Sequence, residues 1–249
     1  MTDRLTLFCF ACAGASAAPY QRWNRNVPSW LHVVPVERPG RGRRHREPHL
    51  RDFSSLVGAL TQELAANLPR RYALFGHSLG GLLAFACAHE IRRLALHPPL
   101  AVCVAGSAAL SRRDDARFRS LQSDQAVEEE LRRQNGTPEE VYGDAELRRM
   151  TFDAATADFA ACGSFRHRPA PPLTMPLFVF GGDKDEIARD ALHAWATETT
   201  AHTTFDIFNG GHFFLRERET EFLEKLIERL ADLQSPLRLT ATGMLGRGI

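Results

Sequence analysis

The sequence lacks the features that mark a membrane-embedded, secreted or nucleic-acid-binding protein. No apolar run approaches the roughly 20 residues of a membrane-spanning helix. The N-terminal residues lead straight into a short apolar strand, without the longer apolar region and cleavage site of a signal peptide. The 31 basic and 30 acidic residues leave a formal net charge of +1, so no global field attracts nucleic acid or a lipid surface. We therefore expect a cytoplasmic protein with neither of these partners.

Cysteine is also scarce. The five cysteines are an odd number scattered through apolar segments, which favours reduced, buried thiols over a disulfide framework. Cys9 and Cys12 have the spacing of a redox pair or of half a zinc site. No second Cys or His pair at zinc spacing completes that site, so buried packing is the favoured interpretation. We expect neither a metal nor an organic cofactor.

The most informative stretch is residues 72–81, an apolar run that ends in Gly-His-Ser-Leu-Gly-Gly and continues as a helical pattern. This strand-turn-helix pattern is typical of a nucleophile elbow, which holds a serine clear of the sheet edge. Gly76 and Gly80 leave room where a side chain would collide with neighbouring backbone. The pattern predicts that Ser78 is a covalent nucleophile. The alternatives are an incidental serine in a glycine turn and the phosphopantetheine attachment site of a carrier domain, which is much shorter than this chain.

Short apolar strands alternate with helical patterns along the chain. Strands are predicted at residues 4–10, 31–36, 72–75, 100–105, 177–180 and 203–208, and helices at 19–30, 53–68 and 217–233 and directly after Ser78. This alternation predicts an α/β protein with a mostly parallel sheet and helices on both faces. The 249 residues suffice for one large domain, which we predict to span residues 1–249.

Residues 108–170 break this rhythm. They are charged and helical in pattern, most clearly at 124–133 and 144–160, and contain no good strand. We predict a helical insertion that forms a lid over the mouth above Ser78. The alternative is a surface decoration with no role in substrate binding. Residues 235–249, with few apolar anchors, are expected to be a loosely ordered tail.

A serine hydroxyl needs a base to take its proton and an acid to orient that base. Among the ten histidines, His212 alone lies in a glycine turn directly after the last predicted strand. The acid is Asp183 or Asp185, which both follow the preceding strand, and the spacing from the glycine favours Asp185. His77 is adjacent to Ser78, but adjacent side chains diverge at a tight turn, so we expect it to point away.

The oxyanion of an acyl transfer needs two N–H donors. One is the residue after the nucleophile, Leu79. The other is expected from the small-residue loop at 11–17, where the backbone can approach a substrate closely, and Ala13 or its immediate neighbour is the candidate.

Together these segments resemble the type II thioesterases, the stand-alone editing enzymes that accompany nonribosomal peptide and polyketide synthases. The resemblance covers nearly the whole chain and is carried by residues 7–17, Tyr20-x-x-Trp23, residues 39–44, Glu47-Pro48, and residues 76–81, 182–185 and 210–215. The chain departs from the family pattern at Ala11, where proline is usual, and at Ala15, where glycine is usual. It also departs at Thr156, where the lid usually has arginine.

The resemblance implies an α/β-hydrolase fold and a triad of Ser78, Asp185 and His212, with Ala13 and Leu79 as oxyanion donors. It implies hydrolysis of an acyl thioester on the phosphopantetheine arm of an acyl- or peptidyl-carrier domain, without a further cofactor. The alternatives are a general carboxylesterase or lipase with the same triad, and a non-catalytic binding protein of the hydrolase fold.

The loop after the second predicted strand is rich in arginine. Carrier domains of this kind tend to be acidic and the pantetheine arm carries a phosphate, so Arg41, Arg43 and Arg44 are candidate contacts for either. The alternative is that these arginines are solvated or held in salt bridges. The protein is expected to act as a monomer.

Overall fold

The computed structural model describes residues 4–113, 116–121 and 123–234. Its six strands form one parallel sheet in the order β2-β1-β3-β4-β5-β6. The strands are β1 (Leu5–Phe10), β2 (Leu31–Val36), β3 (Tyr72–His77), β4 (Val102–Ala105), β5 (Leu177–Gly182) and β6 (Thr203–Phe208). The predicted α/β class with a parallel sheet is confirmed. The predicted tail at 235–249 lies outside the described residues.

Helices fill the connections between these strands. The α-helices are α1 (Phe53–Ala65), α2 (Leu79–Arg93), α3 (Asp124–Gln134), α4 (Glu139–Gly143), α5 (Ala145–Ser164), α6 (Arg189–His193), α7 (Phe214–Glu217) and α8 (Glu219–Ala231). Short 3₁₀ helices lie at Ala18–Arg25, Gly42–Arg44, Leu110–Arg112, Ala116–Ser120, Ala194–Glu198 and Asp232–Gln234. Within the described part of the chain, none of these helices has the length and apolar character needed to cross a bilayer.

The sheet divides the core into two apolar layers because successive strand residues face opposite sides. In β1, Phe8 and Phe10 pack into the cluster that contains residues of α1, α2 and α5. Leu7 and Cys9 pack into the other cluster, with residues of the 3₁₀ helix Ala18–Arg25 and of α8. Both faces of the sheet are therefore covered, which explains why its strands read as nearly continuous apolar runs in the sequence.

Two predicted helices are interrupted. The helix expected at 19–30 is a 3₁₀ helix that ends at Arg25, because the backbone of Val27 precedes Pro28 and is disfavoured in the α conformation. The helix expected at 217–233 is split into α7 and α8 at Arg218, whose φ of −121° and ψ of 39° are not helical. Asp52 caps α1 by accepting a hydrogen bond from the Ser55 N–H.

The insertion between β4 and β5 is helical, as predicted. It consists of α3, α4, α5 and two of the 3₁₀ helices, and its described residues between 108 and 170 form no strand. Its longest helix, α5, is capped by Asp144 and packs a small-residue face containing Ala154, Ala155 and Ala157 into the core. The Phe118 ring stacks on the Phe159 ring with 5.7 Å between centroids, which holds the 3₁₀ helix Ala116–Ser120 against α5.

Candidate active site

Ser78 occupies a strained turn between β3 and α2. Its φ of 55° and ψ of −119° lie in a region that side-chain-bearing residues rarely adopt. A hydrogen bond of 2.8 Å from the Ser78 N–H to the carbonyl of Ala105 on β4 holds the turn. A Cβ atom on Gly76 would collide with the carbonyl oxygen of Gly80, so the turn requires glycine there. The strand-turn-helix geometry expected of a nucleophile elbow is present.

His212 and Asp185 meet at the carboxyl end of the sheet. The Nδ1 atom of His212 lies 3.0 Å from Oδ2 and 3.2 Å from Oδ1 of Asp185, whose side chain is only 4% exposed. Since a carboxylate only accepts, Nδ1 carries the hydrogen and the His212 ring is fixed in one tautomer. Asp183 instead accepts a hydrogen bond of 2.9 Å from the Gly210 N–H. Of the two candidate acids, the geometry brings Asp185 to the histidine and uses Asp183 to shape the turn.

The residues expected to form the site share one cavity of about 460 Å³. Its lining includes Ser78, Asp185, His212, Ala13 and Leu79. The insertion contributes an apolar wall made of Phe118, Phe159 and Cys162. The cavity therefore combines a serine, an oriented imidazole and an apolar surface, which is what hydrolysis of an acyl group requires.

The loop at 11–17 presents backbone to this cavity. Three of its amides are already bonded: the N–H of Gly14 donates to Asp158 at 2.8 Å, that of Ala15 to the Cys12 carbonyl at 3.3 Å, and that of Ala17 to Glu37 at 3.2 Å. Among the described residues, none accepts a hydrogen bond from the N–H of Ala13. Leu79 is the first residue of α2, whose opening N–H groups have no acceptor within the helix. Both residues line the cavity of Ser78, so their amides are the candidate oxyanion donors.

A family model described as "Thioesterase domain" matches residues 5–231. The chain belongs to this family. It is 31% identical over 234 residues to the gramicidin S biosynthesis protein GrsT of Aneurinibacillus migulanus, covering 94% of this chain and 91% of that one.

Solved structures agree with the family assignment. ClbQ from the colibactin pathway superposes with a TM-score of 0.86 at 30% identity, covering 93% of this chain and 98% of that one. The type II thioesterase BorB from the borrelidin cluster superposes with a TM-score of 0.81 at 32% identity, covering 94% of each chain. The predicted α/β-hydrolase fold and the predicted resemblance to thioesterases are both confirmed.

His77 has a structural task in this thioesterase that the sequence did not reveal. Its Nε2 atom donates a 2.8 Å hydrogen bond to the main-chain carbonyl of His212, and the two rings lie 5.0 Å apart. Burial, followed by the nearby His212 ring, holds the pKa of His77 well below its ordinary value, so this ring is neutral. The side chain next to the nucleophile thus fixes the loop that carries the base, 135 residues away in sequence.

The candidate arginines after β2 differ in exposure. Arg41 is buried and donates to both carboxylate oxygens of Asp158, at 2.6 and 3.0 Å, so neither a carrier domain nor a phosphate can reach it. This corrects the expectation for Arg41. Arg43 and Arg44 pair with Glu63 in a surface depression separate from the cavity of Ser78. Their contact with a carrier stays a prediction.

A second set of cations surrounds the mouth of the cavity of this thioesterase. These side chains belong to the insertion and to the loop after β5, and they are Arg112, Arg113, Arg117, Arg133 and Lys184. Arg117 and Arg133 both lie within ion-pair distance of Glu130 and Glu186. The pattern of residues 108–170 predicts a helical insertion, but nothing in that sequence shows that its arginines gather beside Ser78.

Proposed function

We propose that this thioesterase hydrolyses acyl groups from the phosphopantetheine arms of carrier domains and so returns blocked carriers of a nonribosomal peptide or polyketide synthase to use. The observation that carries the proposal is the strained Ser78 in one cavity with the His212–Asp185 pair. ClbQ is described as part of a combined peptide and polyketide pathway, and BorB as a type II thioesterase of a biosynthetic cluster. Those relatives support the choice of substrate.

The proposed reaction runs through an acyl-serine. The Ser78 hydroxyl attacks the thioester carbonyl while His212 takes its proton, and Asp185 stabilises the imidazolium that forms. The N–H groups of Ala13 and Leu79 bind the oxygen as it becomes negative. The carbon–sulfur bond then breaks, and the pantetheine thiolate leaves with the proton that His212 had taken, which frees the imidazole for the next step. A cysteine thiol has a pKa near 8.5, far below that of an alcohol, so a thiolate of this kind leaves more readily than an alkoxide.

Water completes the cycle. His212 takes a proton from a water molecule, the resulting hydroxide attacks the acyl-serine, and collapse of the second tetrahedral intermediate releases the free acid and restores the Ser78 hydroxyl. Every proton and bond in both steps is handled by the triad and water, so the reaction calls for no metal or organic cofactor.

The helical insertion is proposed to act as the lid. Phe118, Phe159 and Cys162 place an apolar wall beside Ser78, where the acyl chain of a substrate would lie. The arginines at the cavity mouth, rather than the buried Arg41, are proposed to meet the phosphate of the arm and the acidic carrier domain. Action as a monomer in the cytoplasm, beside such a synthase, completes the proposal, and five buried thiols suit that reducing compartment.

Intact mass spectrometry of carrier domains tests this function. Carriers are loaded with a panel of acyl groups and weighed before and after exposure to the wild type, to Ser78→Ala and to Ser54→Ala, which alters an exposed serine on α1. We expect the wild type and Ser54→Ala to remove the acyl mass and Ser78→Ala to leave it. Acyl masses that persist across the whole panel, while simple aryl esters are cleaved, would show a general esterase instead.

A further inference from the structure

Asp158 is a fully buried carboxylate on the insertion helix α5 that contacts the loop carrying one oxyanion donor. Its Oδ2 atom accepts hydrogen bonds from the Gly14 N–H at 2.8 Å, from Arg38 at 3.0 Å and from Arg41 at 2.6 Å. Gly14 follows Ala13 directly and has a φ of 73°, which favours glycine at that position. Because Gly14 supplies the turn, the departure from the family pattern at Ala15, whose φ is not positive, leaves the loop intact.

Arg38 holds the same loop by its carbonyl groups. Its guanidinium donates to the carbonyl oxygens of Ala11 at 2.6 Å, Cys12 at 2.7 Å and Ala15 at 3.1 Å, and the side chain is buried. Three carbonyls therefore turn towards one buried cation. The amide of Ala13, within this run, is left for a ligand.

The charges in this cluster support each other. Burial disfavours the ionised form of Asp158, but Arg38, Arg41 and the Gly14 amide outweigh it and hold the pKa of that carboxyl below its ordinary value. Arg41 differs from Arg38 in one respect that matters, because its side-chain hydrogen bonds go to Asp158 and His49 and not to the loop.

The helix that carries Asp158 also forms part of the cavity wall. Phe159 and Cys162 lie on the same helix, within four residues of Asp158, and line the cavity beside Ser78. The helix that would contact the acyl chain is thus bonded, through Asp158, to the loop that would bind the oxyanion.

We propose that Asp158, acting with Arg38, is a positioning residue that sets the Ala13 N–H for the oxyanion and ties that donor to the helix lining the acyl cavity. This inference rests on the proposed function for the identity of the oxyanion donor, and it assigns to Asp158 no contact with the substrate. We expect a change at Asp158 to slow the chemical step, because a misplaced donor weakens binding of the oxyanion in the transition state more than binding of the substrate.

Arg38→Lys and Arg41→Lys form a matched pair for the test. Each replaces a buried guanidinium bonded to Asp158 by an ammonium, which cannot bond several acceptors in a planar fork. We expect Arg38→Lys to lower kcat at least tenfold and Asp158→Asn to lower it about 10²-fold, the scale of one lost oxyanion donor, with KM changed less than about threefold. Arg41→Lys is expected to keep kcat within about threefold while losing comparable stability.

A second measurement separates positioning from general damage to the structure. An alkyl trifluoromethyl ketone, which forms a tetrahedral adduct with serine, is compared with an amide of the same chain length that stays planar. Arg38→Lys and Asp158→Asn should weaken the ketone in parallel with the loss of kcat/KM and bind the amide as the wild type does. If Asp158→Asn fails to fold, Gly14→Ala disturbs the loop without altering the ions and takes its place.

Two results would overturn the proposal. One is an equal loss of kcat in the Arg38 and Arg41 variants, tracking only their stability. The other is a ketone affinity that does not change when kcat falls. Kinetics are measured on an acyl-pantetheine and on an aryl ester, because both form an oxyanion. If the protein cleaves only the aryl ester, the proposed function is wrong, but the ester kinetics still test the role of Asp158.

Discussion

Two arginines after β2 and two of the insertion after β4 look alike in sequence and differ in burial, in partners and in access to the cavity. Arg38 and Arg41 are buried, bonded to one carboxylate, and inaccessible to a partner. Arg112 and Arg117 are exposed and border the cavity of Ser78. Arg38 bonds directly to the loop at 11–17 and Arg41 to the carboxylate that contacts it, whereas Arg112 and Arg117 lie at the surface beside the cavity. The density of arginine in a segment therefore says little about what its charges do.

The largest contrast should be in stability. Asp158→Ala removes the carboxylate that is bonded to two buried guanidinium groups, so we expect it to lower the free energy of unfolding by about 3–5 kcal/mol. Glu63→Ala removes the carboxylate that pairs with Arg43 and Arg44 at the surface and should cost no more than about 1 kcal/mol. Urea unfolding of both variants measures the difference. Equal losses would mean that the buried cluster is no more important to the fold than a surface pair.

The next largest effect is expected at low pH, where protonation of Asp158 should weaken its bonds to Arg38 and Arg41. The pKa of Asp158 is held below its unfolded value, so below about pH 4 the unfolded chain binds a proton that the native protein does not. The stabilisation is present above the unfolded pKa and is lost as the pH falls through the folded one, by up to about 1.4 kcal/mol per pH unit.

Urea titrations at pH 5, 4 and 3 would show this slope in the wild type and its reduction in Asp158→Asn. Glu224→Gln, which alters an exposed carboxylate on α8, is the control and should keep the wild-type slope. A slope that survives in Asp158→Asn would assign it to other carboxyls.

Activity on carrier domains should depend on the exposed arginines of the insertion and not on the arginines after β2. Arg112→Glu places a negative charge at the cavity mouth, and we expect kcat/KM for an acyl-carrier to fall about tenfold at low ionic strength. The effect should shrink at 0.5 M salt, a test condition in which the screening length is only about 4 Å. Hydrolysis of an acyl-pantetheine, which lacks the phosphate and the domain, should not change. Equal slowing by Arg43→Glu would instead place the contact on the loop after β2, as the sequence suggested.

The smallest effect is expected at Arg43 itself. Its side chain is 67% exposed and its bond to Glu63 is a surface ion pair. Arg43→Gln should change the free energy of unfolding by no more than about 0.5 kcal/mol. Thermal and urea unfolding beside the wild type would measure it, and a loss of 2 kcal/mol would show that the surface pairs belong with the buried cluster after all.

Local patterns in the sequence predicted much of the fold and the meeting of Asp185 with His212. Each of these residues follows an apolar strand through a glycine turn, and the carboxyl ends of parallel strands gather at one edge of a sheet. The interruptions of two helices were missed because each depends on the backbone conformation at one position, Val27 before Pro28 in one case and Arg218 in the other. Hydrophobic periodicity is read over a whole window of residues and does not show the effect of a single position.

The hydrogen bonds that hold the loop at 11–17 could not be predicted in the same way. Asp158 reaches Gly14 across 144 residues and Arg41 across 117, so no local pattern contains either bond. Burial, not sequence, decides that Arg41 is a structural ion and that Arg112 borders the cavity. The candidate catalytic residues could be recognised because they follow the ends of predicted strands. The residues that hold them in place follow no such local pattern.

The backbone of Ser78 has a consequence for how this chain evolves. A glycine would adopt its φ of 55° with less strain, so at this one position the fold alone would favour a different residue. A Ser78→Gly change would therefore relieve strain and remove the proposed nucleophile in one step. Stability and the proposed reaction thus favour different residues at this position, so a variant selected only for stability could lose the reaction without any damage to the fold.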